Sequence, residues 1–193
     1  GAKAVLAVNL TFGFSNLSDA ESESRLHLKL RVPGWAAPGS SVLVNRARNA
    51  GAPLRLSQTA VGSFLDVAPP GRGWQAGDTV CASFVMLPRL KPINDRRPAY
   101  KNVAAIMIGP FVLAGLTNFS DVIVADPAKV EHWVVPRARM DIRGSGKRGG
   151  DGGLDMGDLA LTAVGRNQNY TLIPLNRMVM ENYTVYFNVS GGR

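Results

Sequence analysis

The sequence predicts an all-β protein that folds as an antiparallel, jelly-roll-like β-sandwich. Apolar side chains recur at every second position in most of the regular stretches, which is the period of a strand with one buried face. The chain contains 21 glycines and 12 prolines, and turn residues separate these stretches. No stretch shows a sustained apolar stripe at helical spacing. Many short strands with almost no helix are typical of a sandwich.

The alternation is clearest in two strands near the N-terminus. Residues 6–12 alternate large apolar side chains with small or polar ones. The strand predicted over Leu26–Val32 is expected to bury its four aliphatic side chains and to expose Arg25, His27, Lys29 and Arg31. Pro33-Gly34 ends it, because proline cannot continue a central ladder. The remaining predicted strands, in order, are Ser41–Asn45, Ser63–Val67, Thr79–Leu87, Val103–Ile108, Val112–Ala114, Val122–Val124, His132–Val135, Tyr170–Pro174 and Tyr183–Val189.

We expect two β-modules, residues 1–117 and 118–193, although the pattern leaves open whether they share one core. Within the second module, residues 143–157 read RGSGKRGGDGGLDMG. This segment is rich in glycine and charge and has no periodicity, which predicts a flexible loop. Its Gly-Ser-Gly-Lys run lacks the spacing and the following Ser or Thr of a phosphate-binding loop, and its aspartates lack the spacing of a calcium loop.

Composition narrows the function classes. The 193 residues are 46% hydrophobic, which is enough for a buried core, and no apolar run is long enough to span a membrane. The net charge is +8, and residues 24–65 contain basic side chains but no acidic one. A nucleic-acid-binding protein shows such a surface, but it usually also shows a recognisable motif, and none is present. Nucleic acid is therefore an unlikely partner on composition.

Glycosylation sequons are unusually frequent. Half of the chain's asparagines begin an Asn-x-Ser/Thr triplet. Such a triplet accepts a glycan only in a secreted chain. The excess therefore predicts a secreted or cell-wall glycoprotein, with the exposed loop at Asn16 as the best acceptor. The candidate N-glycosylation sites are Asn9, Asn16, Asn118, Asn169, Asn182 and Asn188.

Catalytic chemistry is harder to find. The chain has one cysteine and two histidines, too few for a disulfide framework or a Cys/His zinc cluster. Glycosidase chemistry needs two carboxylates at a fixed separation. Asp95 and Glu181 are the best candidates, yet Asp95 is flanked by Arg96 and Arg97, which predicts an ion pair. We assign no catalytic, cofactor-binding or metal-binding residue.

Aromatic side chains offer a weaker binding hypothesis. The faces of Trp35, Trp74 and Trp133 could stack on sugar rings. The competing interpretation is that each tryptophan fills the core of the sandwich, because tryptophan is highly buried on average. Burial is the favoured interpretation for all three.

Several segments together resemble glycoside hydrolase family 127, which includes β-L-arabinofuranosidases. Leu26–Trp35 followed by Val42–Asn45 resembles the family's "L-x-L-R-I-P-x-W … V-x-V-N-G" signature. Further motifs follow in the family's order, and those after Asn94 resemble its plant and algal branch. The sequence departs from the signature at Arg46, where the family has glycine, so a longer loop to Pro53 is expected. The further motifs are Gly62–Leu65, Trp74–Asp78, Met86–Pro88, Asp95–Tyr100, Ala105–Gly115, Leu172–Leu175 and Tyr183–Phe187.

The resemblance covers only the β-sandwich part of that family. It implies that the catalytic glutamate, the nucleophilic cysteine and the zinc-binding cysteines lie in an upstream (α/α)6 barrel. Cys81 is therefore not assigned as the nucleophile. Zinc is expected only in the barrel. The implied function is a non-catalytic β-sandwich that braces the barrel of a secreted enzyme acting on β-L-arabinofuranosides. The implied partners are that barrel and glycans. The alternative is a structural or carbohydrate-binding extracellular glycoprotein without catalysis.

Overall fold

The computed structural model describes residues 6–15, 27–45, 54–55, 61–67, 73–117, 120–137 and 159–191. These residues are almost entirely β-structure, as predicted. The chain divides into two compact units at Leu87 and Pro88, which we call the N-terminal unit and the C-terminal unit. The expected module boundary at residue 117 falls inside the C-terminal unit, because strands on both sides of it belong to one sheet.

The N-terminal unit contains two antiparallel sheets. One has four strands in the order β1-β6-β3-β4, and the other pairs β2 with β5. Its strands are β1 (Leu6–Gly13), β2 (Leu28–Arg31), β3 (Ser41–Asn45), β4 (Leu54–Arg55), β5 (Phe64–Val67) and β6 (Thr79–Met86). The connection from β3 to β4, where the longer loop after Asn45 is expected, lies outside the described residues.

Alternation along the strands builds the core of the N-terminal unit. β6 buries every second side chain, and one hydrophobic cluster joins residues of both sheets, including Val32, Val67 and Phe84. Each of the two sheets buries its inner face in this one cluster, so the N-terminal unit is a two-layer sandwich. In β2 the pattern is as predicted: Leu30 and Val32 are buried, Leu28 is half-buried, and His27, Lys29 and Arg31 are exposed. Arg25 and Leu26 lie outside the described residues.

A turn before β6 closes one end of this core. The rings of Phe14 and Trp74 stack with centroids 4.3 Å apart, and Trp74 is 1% exposed. The Gln75 N–H donates to the Asp78 carboxylate over 2.9 Å, and the Gly77 N–H donates to the Phe14 carbonyl over 2.8 Å. The buried carboxylate of Asp78 therefore holds the turn that seats Trp74.

The C-terminal unit is one branched sheet of nine strands. They are β7 (Pro88–Pro92), β8 (Val103–Ile108), β9 (Phe111–Leu116), β10 (Val122–Val124), β11 (Val134–Pro136), β12 (Leu161–Val164), β13 (Asn169–Pro174), β14 (Tyr183–Thr184) and β15 (Tyr186–Ser190). Helical residues are confined to short segments among those described, namely α1 (Val130–Trp133) and the 3-10 helices Pro98–Tyr100 and Leu175–Arg177.

The main path through this sheet is β10-β15-β8-β9-β13-β12-β11, with β7 added to β8 and β14 added to β9. All described strand pairs are antiparallel except β10 with β15. The two-residue turn between β8 and β9 begins with Gly109, whose φ of 53° suits glycine. Gly115 in β9 sits against the buried ring of Phe187.

The structure corrects the strand assignment in two respects. The strand expected over His132–Val135 is instead a single turn of helix, α1, followed by β11. β4, β7 and β12 form where no strand is predicted. β7 lies between Pro88 and Pro92, which is a composition usually associated with turns, but prolines are tolerated on an edge strand that pairs on one side.

Candidate functional site

Asp95 forms an ion pair with Arg97, as predicted. The Arg97 backbone N–H donates to Oδ1 over 2.9 Å, and its side chain reaches Oδ2 over 2.6 Å. The guanidinium also lies 4.5 Å from the centroid of the Tyr100 ring. The side-chain hydrogen bond from Arg97, followed by the backbone one, lowers the pKa of Asp95.

Glu181 folds back onto its own loop. Its carboxylate accepts the Val179 N–H over 3.0 Å and the Met180 N–H over 3.1 Å. The backbone N–H groups of Val179, Glu181 itself and Met180 lower the pKa of this carboxyl. Val179 and Met180 are left 83% and 92% exposed at the tip of the loop.

These two carboxylates are unsuited to acid catalysis. A glycosidase general acid carries its proton near neutral pH, which requires a raised pKa. Both Asp95 and Glu181 have a lowered pKa, since hydrogen bonds stabilise their ionised forms. Each carboxylate instead orders a local segment of backbone.

The three tryptophans considered for sugar stacking differ in their exposure and in their contacts. Trp74 is 1% exposed, and Trp133 is 6% exposed and donates its Nε1–H to the Asp126 carbonyl over 2.8 Å. Both are core residues and present no ring face for stacking. Trp35 is half-buried and meets Phe84 edge-on with centroids 6.1 Å apart.

Cys81 lies on the outer face of β6. Its Sγ is 3.7 Å from Thr11 Oγ1 and 3.8 Å from Asn45 Nδ2. His27 is exposed ahead of β2, and His132 lies in α1. Within the described part of the chain, no three His, Cys, Asp or Glu side chains lie close enough together to hold a metal ion.

The described sequon asparagines occupy different environments. Asn9 is exposed on β1, which pairs with β6 alone among the described strands. Asn169 and Asn182 are also exposed, whereas Asn188 is half-buried in β15 between β8 and β10. Asn16, the predicted best acceptor, and Asn118 lie outside the described residues. No helix among the described residues is long and apolar enough to cross a bilayer.

One polar cleft of about 310 Å³ lies beside the β9–β14 pair of the C-terminal unit. We call it the β14 cleft. Tyr183 contributes a ring that is 47% exposed, and Asp121 is also exposed. The lining residues are Thr117, Ser120, Asp121, Asn182, Tyr183 and Thr184.

Regular structure holds the walls of the β14 cleft. Tyr183 and Thr184 pair with Leu116 and Gly115, and the Thr117 N–H donates to the Asn182 carbonyl over 3.2 Å. On the other wall, the Ser120 hydroxyl accepts from Gln168 Nε2 over 2.7 Å. The same hydroxyl lies 3.0 Å from the hydroxyl of the buried Tyr170.

Sequence reasoning missed the β14 cleft. The motifs Asn118-x-Ser120 and Asn182-x-Thr184 were visible only as sequons, and nothing in either indicated that Ser120 and Thr184 share a cleft. The signal that could have joined them is the pairing of β14 with β9. That pairing places the segment ending at Thr117 beside the one starting at Asn182.

Comparison with known proteins gives a likeness of fold. No protein-family profile matches the sequence, and no curated protein matches it. A solved structure described as a glycoside hydrolase matches 94% of this chain with a TM-score of 0.56 and 15% identity. The chain has the fold of part of a glycoside hydrolase. The match covers 30% of that longer chain.

A second similar structure is a GH127 beta-arabinofuranosidase. It matches 95% of this chain and 28% of its own length, with 15% identity and a TM-score of 0.41. That TM-score supports no argument about relationship. At 15% identity the comparisons establish the fold alone, and this chain spans less than a third of the glycoside hydrolase it resembles.

Proposed function

We propose that this chain is the non-catalytic β-sandwich region of a family 127-like glycoside hydrolase, which braces an (α/α)6 catalytic barrel outside the chain. The observation that carries the proposal is the glycoside hydrolase fold match, which takes in nearly all of this chain but under a third of the other. The ordered family 127 motifs from Leu26 to Phe187 support it independently.

The state of the carboxylates supports a bracing role. Asp95 lies in the Asp95–Tyr100 motif and Glu181 in the loop before β14, and local hydrogen bonds lower the pKa of both. Asp78, in the Trp74–Asp78 motif, seats a core tryptophan. The motif residues that the resemblance highlights thus build and close the β-units, which is the task of a supporting region.

The whole protein, on this proposal, hydrolyses β-L-arabinofuranosides of hydroxyproline-rich or wall glycans and is secreted. The family 127 resemblance implies this substrate class, and the motifs after Asn94 resemble those of the plant and algal branch. The six sequons and the net charge of +8 support an extracellular or cell-wall setting.

A deletion experiment tests the bracing role. The longer protein is prepared with and without residues 1–193, and thermal unfolding of the barrel is followed by calorimetry. We expect the barrel to unfold at a lower temperature without this region, because apolar surface that faces it becomes exposed to water. An unchanged unfolding temperature would contradict bracing.

Two observations are equally compatible with a second function, that of a structural or carbohydrate-binding extracellular glycoprotein without catalysis. The sequon density and the basic charge fit a wall component as well as they fit an enzyme. The residues encoded upstream of Gly1 discriminate between the two. A helical barrel carrying a glutamate and clustered cysteines supports the enzyme, and any other sequence there supports the glycoprotein.

A further inference from the structure

We propose that the β14 cleft binds one neutral sugar unit, with the Tyr183 ring as the stacking face and Asp121 and Asn182 as hydrogen-bonding partners of the sugar hydroxyls. This inference goes beyond the bracing role and does not require it. It assigns sugar contact to a place in the C-terminal unit that the three tryptophans do not occupy.

The chemistry of the lining selects the ligand class. Ser120, Thr117 and Thr184 provide hydroxyls, Asn182 provides an amide, and Asp121 provides a carboxylate. The described residues that line the cleft include no lysine or arginine, so a phosphate or carboxylate ligand would meet the Asp121 charge without compensation from them. A purely apolar ligand would leave these polar groups without partners. A neutral molecule that carries many hydroxyls satisfies both conditions.

The exposed ring of Tyr183 restricts the expected ligand from polyols in general to sugars. Tyr183 is 47% exposed, while the neighbouring side chains of Thr117 and Tyr170 are buried. A half-exposed aromatic ring beside converging hydrogen-bonding groups is the usual arrangement for a ring with one apolar C–H face and polar edges. The volume of about 310 Å³ lies at the small end of ligand pockets, which suits one sugar unit.

The walls of the cleft are pre-organised. The backbone of Tyr183 is fixed by pairing with Leu116, and the Thr184 hydroxyl donates to the Tyr186 carbonyl over 3.1 Å. The Asp121 carbonyl accepts the Asn188 N–H over 2.8 Å, which ties that wall to β15. Groups held by strands lose little freedom when a ligand binds, so even a small ligand gains affinity from them.

The experiment is a titration of the 193-residue chain, produced in bacteria so that Asn182 carries no glycan. The probes are methyl β-L-arabinofuranoside and L-arabinose, with sorbitol as an acyclic polyol that has no ring face. Amide chemical shifts are followed by NMR. We expect saturable shifts of residues 117, 120–121 and 182–184 with both sugars and none with sorbitol.

Matched variants test the two kinds of contact. Tyr183→Ala is expected to weaken binding about tenfold, whereas Tyr186→Ala, which removes a ring of similar exposure outside the cleft, leaves it unchanged. Asp121→Ala, with exposed Asp66→Ala as its control, removes the carboxylate acceptor and is expected to weaken binding about tenfold, which tests the hydrogen bond even if Tyr183→Ala unfolds. Absence of saturable shifts, equal loss in variant and control, or sorbitol binding as tightly as sugar would overturn the proposal. None of these outcomes involves the barrel, so failure here is distinguishable from failure of the bracing role.

Discussion

Gly115 of β9 lies directly beneath the ring of Phe187 of β15, so closely that a Cβ at position 115 would overlap the Phe187 Cζ atom. Phe187 is fully buried, and its ring meets Tyr170 edge-on with centroids 5.3 Å apart. The absence of a side chain at residue 115 thus allows an aromatic pair to fill the core of the C-terminal unit beside the β14 cleft.

Gly115→Ala should therefore destabilise the C-terminal unit. The added methyl group must displace a buried ring, and overpacking of this kind costs about 1–3 kcal/mol of unfolding free energy. Gly191→Ala is the control in the same unit, since its Cβ would meet only Pro127 at an ordinary contact distance of 3.8 Å. Denaturant unfolding of the two variants measures the difference. Equal midpoints would show that the packing at Gly115 is loose.

Trp74 should contribute more to the stability of the N-terminal unit than any surface aromatic. Trp74→Ala removes a ring that is 1% exposed and stacked on Phe14, so it should lower the unfolding free energy by about 3–5 kcal/mol. Phe64→Ala, at a position that is 63% exposed, should change it by less than about 0.5 kcal/mol. Thermal unfolding checks both, and a Trp74→Ala protein as stable as the wild type would argue against its core role.

The Asp95–Arg97 pair should affect the stability of the protein at acidic pH. The Arg97 side chain holds the pKa of Asp95 below its ordinary value of 3.8. The pair therefore contributes stability above that value and loses it as the pH falls through the lowered pKa. Arg97→Gln should return the Asp95 pKa towards 3.8, as followed by NMR of the carboxyl carbon.

Arg96→Gln is the matched control for this titration. Arg96 is the exposed neighbour of Arg97, and no hydrogen bond from it reaches the Asp95 carboxylate among the described contacts. The Asp95 pKa should stay low in that variant. A rise of similar size in both variants would mean that general positive charge, rather than the Arg97 contact, lowers the pKa.

Glycan occupancy should differ between the exposed Asn9 and the half-buried Asn188. When the chain is secreted from a eukaryotic host, peptide mapping should find a glycan on Asn9, whose side chain is exposed on an edge strand. Asn188 should be unmodified, because it is half-buried between paired strands. A glycan on Asn188 with Asn9 bare would contradict this assignment and the register of β15.

The period-two pattern predicts the strands whose two faces differ most in hydrophobicity. The inward residues of β6 and the Leu30–Val32 segment are buried as their alternation requires. β7 and β12 were missed for physical reasons: β7 is bounded by prolines, and the apolar positions of β12 are too few to set a period. α1 was missed because four residues are too short to display a helical stripe.

The candidate site was less predictable than the fold. The Asp95–Arg97 pair is local in sequence, so adjacency was enough to predict it. The β14 cleft brings residues 117, 120 and 121 together with residues 182–184, which are far apart in the chain and meet through strand pairing. Alternation sets which face a residue occupies, but it does not set which strands become neighbours.

Hydrolysis by the isolated chain is the most direct test of the non-catalytic assignment. The purified 193-residue chain is assayed with a chromogenic β-L-arabinofuranoside beside the longer protein that includes the upstream region. We predict turnover by the longer protein and none above background by the chain alone, because glycoside cleavage needs a general acid that is protonated near neutral pH, and the lowered pKa of Asp95 and of Glu181 favours their ionised forms. Turnover by the chain alone that is lost in Glu181→Gln, Asp95→Asn or Cys81→Ser would place the active site here and contradict the account.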